Sequence, residues 1–279
     1  MRILIRDYTK NNCSQSMLLH TAINKYTDIE ALFWQNNSAV STYDLLDDVR
    51  PDYILISAMS ITDDLVHYLN ENSSSPKIIL HIPNDMPYAG VRQIHDSEFF
   101  RDHVCLAISS HDIITRVRSV NLKPCADINI MDYPYPNKIP LGIVTVRQNA
   151  DKKLKIANSF HIMSYEKCEE ADIPASSLQL GQLYANYDKI IFDGITKFDQ
   201  PFFDALYKTD EVFYSSNESL SEECIKLFGQ DLNINNKDID FNIVKATLRE
   251  KHLPMNRMKQ LLSQLGIDQS LFTEVSKWI

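Results

Sequence analysis

Apolar runs and amphipathic stretches alternate along most of the chain. Bounded apolar runs without polar alternation predict buried strands at residues 2–6, 29–34, 53–57, 77–81 and 105–108. Apolar residues at helical spacing predict helices between these strands, at residues 16–26, 41–49, 63–70 and 111–117. This alternation is typical of a parallel sheet with helices on both faces.

The alternation is interrupted at residues 130–140 (IMDYPYPNKIP), where three prolines predict a linker. It then resumes with strands predicted at 141–146, 161–164, 189–192 and 211–214, and with helices at 152–160, 201–208 and 219–228. The end of the chain is helical with a break near Pro254. We therefore expect an α/β protein of two lobes, residues 1–133 and residues 134–279, the second including the terminal helices.

Composition narrows the class of protein. Of the 279 residues, 44% are hydrophobic, which is enough for two folded cores. The five cysteines are widely spaced and form no CxxC motif, so we expect reduced thiols, a cytoplasmic location and no zinc site. Neither a signal peptide nor an apolar run of membrane length is recognisable. With only six glycines, no glycine-rich phosphate loop can be placed.

Charge argues against generic nucleic-acid binding, because the formal net charge is −9. One local group of cations in the first lobe keeps a DNA partner open: Arg92, Arg101, Arg116, Arg118 and Lys123.

The stretch 183–214 contains the strongest candidate for a ligand-binding site. A buried strand at 189–192 opens onto the loop DGITKFDQ, and a helix follows with Pro201 in its first turn. Open α/β sheets bind phosphorylated ligands where a strand ends at a helix N-terminus. Asp204, one turn into this helix, could accept hydrogen bonds from a ribose, or it could merely favour the helix dipole.

This stretch resembles the nucleotide-sugar signature of GT-B glycosyltransferases, especially the family-four retaining type and its spore-coat-maturation relatives. The match runs through Tyr187-Asp188, the strand 190–192, Phe198-Asp199, Asp204-Ala205 and Val212. Two positions depart from the family pattern. Thr196 stands where the first Glu of the two-Glu motif is usual, and Asp210 stands where a glycine is usual.

The resemblance implies a GT-B-like fold, with two Rossmann-like lobes facing a central cleft and a C-terminal helix that closes back. It also implies a metal-independent hexosyl- or pentosyltransferase that needs no cofactor. The donor, expected to be a UDP-sugar, would bind the second lobe, and the acceptor the first. The implied donor-binding residues are Lys152, Asp193, Gly194, Thr196, Asp199, Gln200 and Asp204.

The stretch GIVTVRQNADKKL is similar to the family's opening of the second lobe. On that match Arg147 and Lys152 hold the donor diphosphate, where fixed cations stabilise the leaving group and replace a metal ion. The ordinary alternative is a solvated helix start, because Lys152 lies in a cluster of lysines.

The loop HIPNDMP of the first lobe lies where the relatives place a short His or Asp loop over the acceptor. His81 ends a buried strand and Asp85 follows in the loop, so both are candidate catalytic residues beside Arg147. A structural His and a turn Asp are the alternative. His111 follows the next strand in the same way, although a neighbouring serine is the better helix cap.

The acceptor stays open at this point: a glycan, a lipid-linked sugar or a modified base in phage DNA, which would place the protein in the host cytoplasm. Action on a duplex base would require base flipping. The alternative to an enzyme is a catalytically degenerate GT-B-like binding or scaffold protein, because Thr196 removes a carboxylate from the expected sugar site.

Overall fold

A computed structural model gives the fold of the chain. It describes residues 1–6, 15–34, 40–72, 76–82, 98–109, 118–126, 184–185, 187–215 and 220–268, and the backbone alone of residues 143–147 and 161–164. These residues form two parallel sheets and the helices that accompany them.

The first half of the chain forms a parallel sheet of six strands in the order β2-β1-β3-β4-β5-β6. The strands are β1 (Arg2–Arg6), β2 (Glu30–Phe33), β3 (Tyr53–Ser57), β4 (Lys77–His81), β5 (Val104–Ser109) and β6 (Ser119–Asn121). Its helices are α1 (Gln15–Tyr26), α2 (Thr42–Val49), α3 (Asp63–Glu71) and α4 (Glu98–His103), with one 3₁₀ turn at Ala58–Ser60.

Burial explains why this sheet forms. The central residues of β1, β3 and β4 are at most 1% exposed, as expected for strands covered on both faces. Ser41 caps α2 by accepting a hydrogen bond from the Asp44 amide. The helix ends at Arg50, which adopts the left-handed conformation (φ 47°) common at helix C-termini and donates its N–H to the Leu46 carbonyl; the following Pro51 cannot continue the helix.

The second sheet is also parallel, with four strands in the order β10-β9-β7-β8. The strands are β7 (Ile143–Arg147), β8 (His161–Ser164), β9 (Lys189–Asp193) and β10 (Glu211–Ser215). The helices of this part of the chain and of its end are α5 (Gln200–Lys208), α6 (Ser221–Phe228), α7 (Phe241–Lys251) and α8 (Pro254–Gln264).

An aromatic core holds the second sheet to its helices. Phe198 packs against Phe202 with ring centroids 4.9 Å apart, and Phe203 packs against Phe228 at 5.2 Å. Lys245 of α7 donates hydrogen bonds to the carbonyls of Leu206 and Thr209 at the end of α5. A cation in this place also favours the negative end of the helix dipole.

Packing divides the described residues into two units. Those up to Lys123 and from Arg257 onward form one unit, and those from Pro124 to Asn256 form the other. The sequence places the division between 133 and 134 and assigns the terminal helices to the second lobe. Helix α7 does belong to the second unit, whereas α8 packs on the segment after β6, where Arg257 Nε donates to the Lys123 carbonyl at 2.5 Å.

Most predicted elements are found within one or two residues of their expected bounds. The short strand β6 and helix α4 were not predicted. The helices expected at 111–117 and 152–160 lie outside the described residues. Among the helices that the structure describes, none is both long and apolar enough to cross a membrane.

Candidate functional site

The order in which strands are added to the second sheet reverses between β7 and β9. β7 is the earliest of its four strands, and it pairs with β8 on one side and with β9 on the other. Open parallel sheets bind ligands at the carboxyl edge of such a switch point. In register at this edge lie Ser164, Arg147, Asp193 and Ser215. The structure thus brings the backbone positions of Arg147 and Asp193 side by side.

Asp193 and Ser215 also meet through their side chains. Ser215 Oγ donates a hydrogen bond of 2.6 Å to Asp193 Oδ1, and Asp193 is only 3% exposed. The hydroxyl therefore fixes the orientation of a buried carboxylate at the carboxyl edge of the sheet. The sequence named Asp193 but missed Ser215, which ends the next strand and is recognisable only once β9 and β10 are paired.

Gly194 makes the turn that leaves β9. It has φ +69°, and its N–H donates to the Ser215 carbonyl at 3.0 Å. A left-handed backbone favours glycine. A Cβ placed on Gly194 would meet no atom of the described residues within 4 Å.

Asp199 stands at the N-cap position of α5, although its side chain makes no capping hydrogen bond. Burial raises the pKa of this carboxyl to about 6, while the charge of Lys197 and nearby backbone amides act in the opposite direction. Gln200 begins the helix and is partly buried, whereas Thr196 of the preceding loop is exposed. Asp199 therefore gains or loses its proton near pH 6, well above the pH at which most aspartates do so.

Asp204 lies one turn into α5, as the sequence predicts. Asp204 is 2% exposed, and its neighbours Phe202, Phe203 and Ala205 are fully buried. A ribose could reach this carboxylate only if the surrounding side chains moved.

His81 ends β4 at the carboxyl edge of the first sheet. It is partly buried and lies in register with Ser57 of β3 and Ile108 of β5. The sequence correctly placed this histidine at a strand end. Asp85, its predicted neighbour, lies outside the described residues.

Arg6 and Trp34 were missed by sequence reasoning. Arg6 is the last residue of β1, and its guanidinium carbon lies 4.0 Å from the centroid of the Trp34 ring. Burial lowers the pKa of Arg6, and the nearby Asp64 carboxylate opposes this shift. The available signal was the pattern RILIR, in which a buried strand ends in a cation.

Other predicted residues fall outside what the structure describes. These are Lys152, His111, Arg92 and Arg116, together with the side chain of Arg147. Two cations of the predicted basic group have local partners: Arg101 lies 3.3 Å from Glu98, and Arg118 donates to Gln264 at 2.9 Å.

Comparison with known proteins gives only a weak structural likeness. No protein-family model matches the chain, and no curated protein is similar to it in sequence. Nine chains of solved structures match it. One is described as the glycotransferase of kitacinnamycin; it is 10% identical, the alignment covers 94% of this chain and 98% of that one, and the TM-score is 0.40. A likeness of this extent says nothing about the reaction, so the function has to be inferred from the residues themselves.

Proposed function

We propose that the protein is a metal-independent glycosyltransferase that takes a sugar from a nucleotide-sugar donor, and that the second sheet holds this donor. The register of Arg147, Asp193 and Ser215 around the β7–β9 switch point carries the proposal. A switch point is where open α/β sheets hold nucleotides, and a cation beside a carboxylate suits a ligand with both a diphosphate and hydroxyl groups.

The proposed roles follow from the chemistry of each side chain. Arg147 neutralises the negative charge that grows on the diphosphate as the glycosidic bond breaks. Asp193, oriented by Ser215, accepts hydrogen bonds from donor hydroxyls. Like Asp204 it is almost fully buried, so the donor reaches it only if neighbouring side chains move. Gly194 lets the ligand approach the backbone, and Asp199 and Gln200 line the start of α5. Lys152 is the second cation that binds the diphosphate. Asp204 accepts hydrogen bonds from the ribose, which requires the side chains that bury it to move.

A sugar acceptor at the edge of the first sheet completes the proposal. His81 is its candidate base, and Asp85 follows four residues later in the chain. We propose UDP as the nucleotide and a glycan or lipid-linked sugar as the acceptor.

Calorimetry with UDP and with UDP-sugars tests the donor site. We expect UDP to bind, and Asp193→Asn to weaken binding about tenfold, because a hydrogen bond to a charged group contributes about 1–3 kcal/mol. Asp188→Asn is the matched control, since this exposed carboxylate lies at the opposite end of β9 and should leave UDP binding unchanged. If neither UDP nor any other nucleoside diphosphate binds, the proposed donor site is wrong.

Steady-state hydrolysis of UDP-sugars tests the chemistry. Arg147→Ala should lower turnover more than donor affinity, because the leaving-group charge is largest in the transition state. Excess EDTA should change neither UDP binding nor turnover, and a loss of both would contradict metal independence. UDP binding without any transfer or hydrolysis would favour the binding or scaffold protein that Thr196 suggests.

A further inference from the structure

The first sheet has a switch point of its own. Its strand order reverses between β1 and β3, because β1 pairs with β2 on one side and with β3 on the other. Arg6 ends β1 at this edge, and the segment 57–62 continues from the end of β3 beside it. The second sheet has the same arrangement, with Arg147 ending the strand at its switch point. Each unit therefore places an arginine where open parallel sheets bind ligands.

The side chain of Arg6 is held in place. Its guanidinium stacks on Trp34, which is only 5% exposed, and stacking fixes the plane of the guanidinium fork. Asp64, in the first turn of α3, attracts it electrostatically. Because Asp64 is exposed, solvent weakens this attraction, and an anion in direct contact with the fork could compete with it.

The segment after β3 carries two buried hydroxyls, those of Ser60 and Thr62. Among the described residues, neither Ser60 Oγ nor Thr62 Oγ1 has a hydrogen-bond partner, although both atoms are buried and Ser60 as a whole is 5% exposed. Thr62 occupies the N-cap position of α3 without capping it. By contrast, Ser57 Oγ accepts a hydrogen bond from the Met59 amide. Buried hydroxyls without partners cost free energy, and a bound polar group would satisfy them.

We propose that Arg6, Ser60 and Thr62 bind the phosphate of a phosphorylated sugar or polyol at the switch point of the first sheet. A guanidinium fork and two hydroxyls can donate to the three outer oxygens of a phosphate monoester. The N-terminus of α3 adds a favourable dipole, although Asp63 and Asp64 reduce its effect. That this molecule is the acceptor rests on the proposed glycosyl transfer; the phosphate site itself does not.

Calorimetry with glycerol 3-phosphate and the full chain, in phosphate-free buffer, tests the site. We expect binding by the parent protein and at least tenfold weaker binding by Arg6→Gln. Asp64→Asn should tighten binding several-fold, because it removes the competing negative charge. Arg2→Gln is the matched control: Arg2 begins the same strand at the other edge and pairs with Glu30, so its affinity should equal the parent's.

Removal of the hydroxyls separates ligand binding from a structural role. Ser60→Ala and Thr62→Val should each weaken glycerol 3-phosphate binding three- to tenfold. Without ligand, their melting temperatures should not fall below the parent's, because each change removes a buried hydroxyl that has no partner among the described residues. A lower melting temperature with unchanged affinity would overturn the assignment of these hydroxyls.

UDP binding, measured on the same samples, keeps the two proposals apart. If UDP binds and glycerol 3-phosphate does not, the phosphate site is overturned while the donor site stands. If glycerol 3-phosphate binds in an Arg6-dependent way and UDP does not, the phosphate site stands and the acceptor role fails. Glycerate and glycerol are measured as control ligands. An affinity for glycerate equal to that for glycerol 3-phosphate would overturn the preference for phosphate. For Arg6→Gln, unchanged UDP binding would show that the second unit is folded.

Discussion

Asp199 combines a helix-capping position with a carboxyl that is costly to ionise. The chain continues from Asp199 into α5, where an ionised carboxylate normally favours the helix dipole. Burial outweighs that gain and raises the pKa of Asp199 to about 6. A charge held at such a free-energy cost at neutral pH is common where a side chain meets a ligand.

We predict that Asp199→Asn stabilises the protein at pH 7. Below about pH 4 the carboxyl is protonated in both the folded and the unfolded chain. Between about pH 4 and 6 only the folded protein keeps the proton, so the free energy of unfolding falls as the pH rises and is level above that window. The asparagine variant lacks this loss. Its advantage should reach up to about 3 kcal/mol at pH 7 and vanish near pH 4, since one pKa unit corresponds to about 1.4 kcal/mol.

Urea unfolding of parent and variant between pH 4 and 8 measures this difference. Asp188→Asn is the control, because it changes an exposed carboxylate on the same stretch of chain and should stay within about 0.5 kcal/mol of the parent. Parallel stability curves for Asp199→Asn and the parent would show that the carboxyl is not perturbed.

At the scale of elements, two glycines with positive φ allow the effect of the backbone conformation on stability to be measured separately from its effect on ligand binding. Gly194 and Gly266 have nearly equal φ angles, +69° and +73°, and a Cβ at either would meet no atom within 4 Å in the part of the chain that the structure describes. Gly266 follows α8, far along the chain from the donor-binding stretch. The two glycines therefore form a matched pair.

We predict that Gly194→Ala and Gly266→Ala each lower the free energy of unfolding by about 1 kcal/mol, the cost of a left-handed backbone for a residue with a Cβ. Only Gly194→Ala should weaken UDP binding, because the added methyl would lie where the donor approaches the backbone. Thermal unfolding and calorimetry measure the two effects. Equal UDP affinity in both variants would show that the Gly194 turn does not face the nucleotide.

The sequence predicts the strands and helices better than it predicts which of them lie side by side. Runs such as KIIF and EVFY predict strands because parallel strands are apolar on both faces. The strand SVN at 119–121 is too short and polar to give that signal. The neighbours of Asp193 depend on β9 lying between β7 and β10, an order that local pattern does not encode. In the same way, Arg6 stacks on a tryptophan that follows the next strand, so its role becomes visible only in three dimensions.

At the scale of the whole molecule, the charge balance bears on the acceptor. The net charge is −9, and the described cations of the predicted basic group include Arg101 and Arg118, which have partners within the protein. A protein that binds DNA through its phosphates needs cations that can release counterions. The charge balance thus favours a small acceptor over DNA.

We predict no retention of DNA at physiological salt. Fluorescence anisotropy with duplex and single-stranded DNA, titrated with salt, checks this. Binding that weakens steeply with salt, with a slope that Arg118→Ala flattens while UDP binding stays intact, would instead support a DNA acceptor.

Helix α8 joins parts of the chain that are synthesised far apart in time. Its residues Arg257, Gln260 and Gln264 bond to Lys123, Asn121 and Arg118, which precede them by 134, 139 and 146 positions. During translation the strand β6 therefore emerges from the ribosome long before the helix that covers it. The unit that holds the first sheet is therefore complete only once α8 has been synthesised, and a chain that stops before Pro254 would lack the helix that bonds to β6 and its flanking residues.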